Sequence, residues 1–255
     1  MFIDTHAHLM AKDYEGEIDL VLQRAKEAGV ERIVNIAFDL NSSEEALKLA
    51  NKYPECFASI GIHPYDSAVF FEGLVGEWEK LIFENPKIVA IGEIGLDYFK
   101  CDVSVDLQKK VFREQIKIAK TNSLPIIVHN RDADEDTLGI LDEFEGLKVV
   151  FHCYSSSLEF AKKLWDRGFY TSFTGNITFP KADNIREVAL NCPIDKFMIE
   201  TDCPWLAPQE VRGQRCEPAF VVSVAKKIAE VRGMMLADVE KISTENAFRF
   251  FERLK

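Results

Sequence analysis

Apolar residues recur along this chain in short, nearly unbroken runs. Between the runs lie longer stretches in which apolar positions return every three or four residues. The runs are Phe2 to His8, Arg32 to Ala37, Phe57 to His63, Ile88 to Glu93, Pro125 to His129, Val149 to His152, Tyr170 to Thr174 and Phe197 to Thr201. Most are apolar nearly throughout, as in parallel strands buried on both faces. The intervening stretches read as amphipathic helices. Residues 104–120 align Leu107, Val111, Phe112, Ile116 and Ala119; residues 217–231 align Phe220, Val221, Val224, Ile228 and Val231; residues 236–252 align Leu236, Val239, Ile242, Phe248 and Phe251. Eight strand–helix units predict a (β/α)8 TIM barrel, one α/β domain over residues 1–255. A doubly wound open sheet is the alternative, but it commonly carries a Gly-rich phosphate loop. Neither G-x-G-x-x-G nor G-x-x-x-x-G-K-[ST] occurs here.

Length supports the barrel, since 255 residues is close to what eight such units need and leaves no room for a separate DNA-binding domain. A hydrophobic content of 47% excludes a disordered chain. No apolar run approaches the ~20 residues of a membrane span. The polar opening residues Asp4, Thr5 and His6 do not read as a signal peptide. The six cysteines are scattered without a C-x-x-C pair, so reduced thiols and a cytoplasmic monomer without membrane contact are expected.

The five histidines are not scattered. His6 and His8 close the first run, His63 the third, His129 the fifth and His152 the sixth. Glu93 ends the fourth and Asp202 follows the eighth. In a barrel those strand ends converge on the face that carries the active site. His6-Ala7-His8 has the i, i+2 spacing that puts both imidazoles on one face of a strand, where they can grip one cation. Four histidines and two carboxylates at strand ends suggest two divalent ions. His6, His8 and Asp202 would hold one, His129 and His152 the other, and Glu93 would bridge them. Two cations ~4 Å apart can clamp the attacking and leaving oxygens of a displacement. Asp202 could then accept the proton of the attacking water. Mixed N/O ligands suit Zn, Mn, Fe or Co, with Mg held less strongly by histidine.

These residues sit in motifs that run almost end to end: Phe2-Ile3-Asp4-Thr5-His6-Ala7-His8-Leu9, Gly61-Ile62-His63-Pro64, Gly92-Glu93-Ile94-Gly95-Leu96-Asp97-Tyr98, Pro125-Ile126-Ile127-Val128-His129-Asn130-Arg131-Asp132-Ala133, Phe151-His152-Cys153-Tyr154-Ser155 and Glu200-Thr201-Asp202-Cys203-Pro204-Trp205-Leu206-Ala207-Pro208. Taken together they resemble the TatD-type metal-dependent deoxyribonucleases, within the amidohydrolase-like hydrolases. The resemblance implies a (β/α)8 barrel that hydrolyses phosphodiester bonds with divalent cations. It also implies His6, His8, Glu93, His129, His152 and Asp202 as metal positions. The expected substrate is DNA, as short or single-stranded ends cut from 3′ to 5′. The same constellation could instead serve an ester or amide, as in a D-aminoacyl-tRNA deacylase. Departures from the family pattern fall at Met10, Tyr65, Ser156 and Cys216, none of them a ligand position; they bear on substrate preference.

Around this set, His63 is expected to bind a phosphate or leaving oxygen, and Arg131 has a planar fork suited to phosphate. An ion pair with Asp132, Asp134 or Glu135 is the plainer role for Arg131. Asp4 could brace a ligand histidine, and Glu200 could pair with Arg215. Thr174-Gly175-Asn176 could be a simple turn or a polar contact to substrate. Tyr98 and Trp205 could stack on a base or merely pack. A Cys–His nucleophile through Cys153 or Cys203 is disfavoured, because neighbours on a strand point to opposite faces. Loss of activity is disfavoured too, because every ligand position is filled.

The formal net charge of −11, from 42 acidic and 31 basic residues, argues against generic binding to phosphate backbones. Many acids, such as Glu15, Glu17, Asp19, Glu44, Glu45 and Glu143, fall on expected outer helices. Two divalent ions would reverse the local sign at the strand ends.

Overall fold

A computed structural model describes residues 1–99 and 101–255. The strands are β1 (Phe2–Ala7), β2 (Val30–Asn35), β3 (Cys56–Ile60), β4 (Ile88–Asp97), β5 (Ile126–Arg131), β6 (Val149–Phe151), β7 (Tyr170–Phe173) and β8 (Phe197–Ile199). The helices are α1 (Ile18–Glu27), α2 (Leu40–Lys52), α3 (Leu74–Glu84), α4 (Val105–Thr121), α5 (Asp134–Leu141), α6 (Leu158–Asp166), α7 (Asp183–Asn191), α8 (Val221–Arg232) and α9 (Leu236–Phe250). One sheet takes the strands in chain order, β1 to β8. This is the (β/α)8 arrangement that the apolar pattern predicts.

The chain divides into two compact units. The first comprises Met1–Asn35 and Cys153–Phe250. In it β1 pairs with β2 and β7 with β8, both in parallel. Ile3, Ile33, Phe173, Phe197 and Val224 lie in its core. Asn246 on α9 donates to the Phe197 and Ile194 carbonyls at 2.9 and 3.0 Å, tying the last helix to β8. Arg24 on α1 makes a two-pronged bond to Glu217, at 2.7 and 2.8 Å.

The second unit comprises Ile36–His152 and Phe251–Lys255. Here β3, β4, β5 and β6 pair in sequence, all parallel. Ile60, Ile91, Phe112, Ile116, Phe151 and Phe251 are buried. Ser104 caps the start of α4, its hydroxyl accepting from the Leu107 N–H at 3.4 Å. Two buried glutamines on α4, seven residues apart and so on one face, each clasp a peptide group. Gln115 accepts from the Ile62 N–H at 2.7 Å and donates to the Ile62 carbonyl at 3.0 Å; Gln108 does the same to Asp97 at 3.0 and 3.1 Å.

β4 departs from expectation. Glu93 does not end it; the strand continues to Asp97, pairing Gly95 with His129 and Asp97 with Arg131. The register shifts between Ile91 and Ile94, which spends one extra residue on the β4 side. That bulge holds Gly92 and Glu93 and re-aims the glutamate. The close pairing needs glycine. A Cβ on Gly95, at φ 143°, would lie 2.0 Å from the His129 carbonyl oxygen, and one on Gly92 2.7 Å from the Ile127 side chain. His63 does not close β3 either. It stands three residues beyond Ile60 and caps the short 3-10 turn Pro64–Val69.

Candidate metal centre

Each unit carries a cluster of ligand-type side chains. In the first, His6 lies in β1, His8 just past its end, and Asp202 three residues after β8. Backbone bonds hold these segments side by side: the Asp202 N–H donates to the His6 carbonyl and the His8 N–H to the Cys203 carbonyl, each at 2.9 Å. Asp202 adopts a left-handed φ of 55°, a conformation that aspartate tolerates better than most residues. The His6 and His8 Nε2 atoms stand 3.1 Å apart. They lie 3.6 and 3.3 Å from Asp202 Oδ1. Ligand atoms bonded to zinc at 2.0–2.1 Å with tetrahedral angles stand about 3.4 Å apart. The three edges thus match the triangle that a small divalent cation requires, and the N₂O donor set suits zinc or manganese.

Asp4 serves this cluster through the backbone rather than through an imidazole. Its carboxyl meets the Thr201 N–H and hydroxyl at 2.9 and 2.6 Å and the His6 N–H at 3.3 Å. Burial pushes its pKa up to about 8.

In the second unit, Glu93 Oε1 lies 2.8 Å from His129 Nδ1, 2.7 Å from His152 Nε2 and 3.7 Å from His63 Nε2. His129 Nε2 lies 2.9 Å from Asp97 Oδ2. Burial would lift the Asp97 pKa, but hydrogen bonds from His129, the Phe99 N–H and Tyr65 outweigh it and hold it at about 2. Asp97 is therefore a carboxylate, and His129 must carry a proton on Nε2 to meet it. That leaves Nδ1, turned toward Glu93, as the His129 atom that could ligate a metal, with Asp97 as the carboxylate behind the imidazole. Burial would lower the His129 pKa, yet the bonds to Asp97 and Glu93 raise it.

His63 behaves differently. Its Nδ1 accepts from the Tyr65 N–H at 3.2 Å. Burial drives its pKa down to about 3, so the ring is neutral and its proton resides on Nε2. A nitrogen that carries a proton cannot ligate metal. His63 is a neutral hydrogen-bond donor pointed toward the Glu93 cluster.

Arg131 is exposed and does not pair with Asp132, Asp134 or Glu135; its guanidinium lies over the Phe99 ring, 3.9 Å from the centroid. Arg215 pairs with Glu17 and Glu217 at 2.7 and 3.0 Å. Glu200 instead accepts from the Cys153 N–H at 2.7 Å. Tyr98 is tied down, its hydroxyl donating to Asp136 at 2.8 Å. Trp205 remains half-exposed beside the His8 ring, with centroids 5.1 Å apart. The Thr174–Asn176 turn contacts the Cys153 sulfur, through Thr174 at 3.4 Å and Asn176 at 3.6 Å. Burial pushes the Cys203 thiol up to about 12, an unreactive value. All six cysteines are free. No helix among the described residues is long and apolar enough to cross a membrane.

Sequence reasoning missed Asp97, Phe99 and the two α4 glutamines. Asp97 had a signal: four residues beyond Glu93 in an extended strand, it falls on the same face.

Comparisons with known proteins agree with this geometry. The family described as TatD related DNase matches residues 3–252. A metal-dependent hydrolase of Bacillus subtilis, YabD, is 44% identical over 98% of this chain and 99% of its own length. The 3′-5′ ssDNA/RNA exonuclease TatD of Salmonella typhimurium is 32% identical over 98% of each chain. The crystal structure of the Escherichia coli TatD homologue YjjV superposes with a TM-score of 0.92 at 30% identity, covering 98% of each chain. A (β/α)8 barrel with histidine–carboxylate clusters that can hold metal defines a metal-dependent hydrolase. Within that class, the chain belongs to the TatD family.

Proposed function

We propose that the protein is a metal-dependent nuclease that removes nucleotides from the 3′ end of single-stranded DNA, acting as one domain over residues 1–255. His6, His8 and Asp202 would hold one divalent ion, and Glu93, His129 and His152 a second. When bound, the ions supply Lewis acidity and lower the pKa of water. The chain's own groups then divide the remaining work. Asp202 accepts the proton of the attacking water at its carboxylate. The Nε2–H of His63 donates to a phosphate or leaving oxygen. Arg131 supplies a permanent positive charge for the strand.

One observation carries this reading. A neutral histidine donor faces the Glu93 cluster, and on the neighbouring strand an arginine free of any carboxylate partner among the described residues is exposed to solvent. That pairing suits a phosphodiester, whose charged oxygens need donors. The name of the Salmonella relative points the same way. The test is an activity panel with Zn, Mn and Mg, comparing a 5′-labelled single-stranded oligonucleotide with a D-aminoacyl-tRNA. Stepwise loss of 3′ nucleotides, abolished by chelation and by Asp202→Asn, is the expected result. Fast ester turnover without oligonucleotide cleavage would assign the carbonyl chemistry instead.

A further inference from the structure

Asp97 does more than orient His129. Its other oxygen accepts from the Phe99 N–H at 2.9 Å, and the Tyr65 hydroxyl bonds to the same carboxylate. Three side chains are thereby arranged on the rim of the second unit. Tyr65 packs edge-on against His63, with centroids 4.7 Å apart, and is 44% exposed. Phe99 is 47% exposed and lies under the Arg131 guanidinium. The His63 ring in turn lies 4.3 Å from that of His129. Among the described residues the guanidinium has no carboxylate partner, and the exposed Tyr65 ring has no packing role that would require its exposure.

We propose that Tyr65, Phe99 and Arg131 form a nucleotide subsite for single-stranded nucleic acid, adjoining the reacting phosphate. Arg131, held flat by Phe99, takes a backbone phosphate next to the one that is cut. Tyr65 offers its ring to a base. Stacking of this kind is tolerant of sequence, because every base has a π-face. A duplex end keeps its bases paired and stacked, so it cannot use the subsite, and the preference for single strands follows. This proposal rests on the nuclease reading and deepens it.

Two substrates separate the contributions. One is a fluorescein-labelled oligothymidylate; the other is the same strand with abasic sites at its 3′ end, which keeps the phosphates and removes the bases. Kd is measured by anisotropy from 50 to 300 mM salt, and cleavage is followed in parallel. Tyr65→Ala should weaken binding of the normal strand about tenfold and leave the abasic strand nearly unchanged. Tyr65→Phe keeps the ring, so it should retain the difference between the two strands. Arg131→Gln should weaken both strands alike and reduce the slope of log K against log salt by about 0.7. An equal loss on both strands for Tyr65→Ala, or an unchanged salt slope for Arg131→Gln, would overturn the subsite while cleavage persists. If the unsubstituted protein neither binds nor cuts either strand, the nuclease reading falls and the subsite with it.

Discussion

The residue with the widest reach in the second unit is Asp97. It takes the His129 Nε2 proton, the Phe99 N–H and the Tyr65 hydroxyl, and its own peptide is clasped by Gln108. Replacement by asparagine keeps the size and removes the charge. The imidazole is then no longer held with its proton on Nε2, and Nδ1 loses its claim to the metal. Disruption of such a partner commonly costs 10- to 100-fold in metal affinity. Asp97→Asn is therefore expected to weaken zinc binding by roughly that factor while the far-UV circular dichroism spectrum is kept. Titration with a competing chelator measures it, and an unchanged affinity would show that Asp97 does not set the tautomer.

At the scale of elements, α4 and the bulged β4 place the second cluster. Gln108→Leu would strand the Asp97 N–H and carbonyl in a buried site, at a cost of about 2–3 kcal/mol. Gly95→Ala would thrust a methyl group into the His129 carbonyl, and we expect at least ~3 kcal/mol of destabilisation in urea. In the first unit, Glu217 ties α1 to the segment before α8 and has a pH signature. Burial would raise its pKa, but the bonds from Arg24 and Arg215 lower it below the ordinary glutamate value. A depressed folded pKa contributes stability above the unfolded value near ~4.3 and loses it as pH falls through the folded one. Glu217→Gln should thus cost about 1 kcal/mol at pH 7 and nearly nothing once the pH has fallen below the folded value, as read from urea midpoints. The sheet was legible because buried parallel strands are apolar throughout, and the strand-end histidines stood out against it. The last four residues of β4 were not legible. Gly95 breaks the apolar run, yet only a glycine permits the β4–β5 contact that continues the strand. Gln108 and Gln115 escaped for a related reason. On a helix a polar residue reads as solvent-facing, and here each is buried to satisfy a peptide group from a strand end.

For the molecule as a whole, the charge of −11 and a nucleic-acid substrate are compatible once the acids are placed. Glu17 and Glu143 are spent on Arg215 and Arg113, and Glu15, Asp19 and Glu44 are exposed on the surface. The carboxylates within the clusters, Glu93 and Asp202, face histidines. Two divalent ions would add about four positive charges where the strand must approach. The same ions would couple to folding, since they would bind the assembled ligand sets and not the dispersed chain. At a hundred times its Kd, one ion stabilises by about 2.7 kcal/mol. For a chain of this size that corresponds to a rise in Tm of about 5–10 °C. Chelation should therefore lower Tm by at least that amount and abolish hydrolysis together, and Zn or Mn should restore both. His6→Ala, which removes one corner of the first triangle, should lose part of the metal-induced shift. A Tm indifferent to chelator in a sample shown by elemental analysis to contain metal would mean that the ions bind elsewhere than in these two clusters.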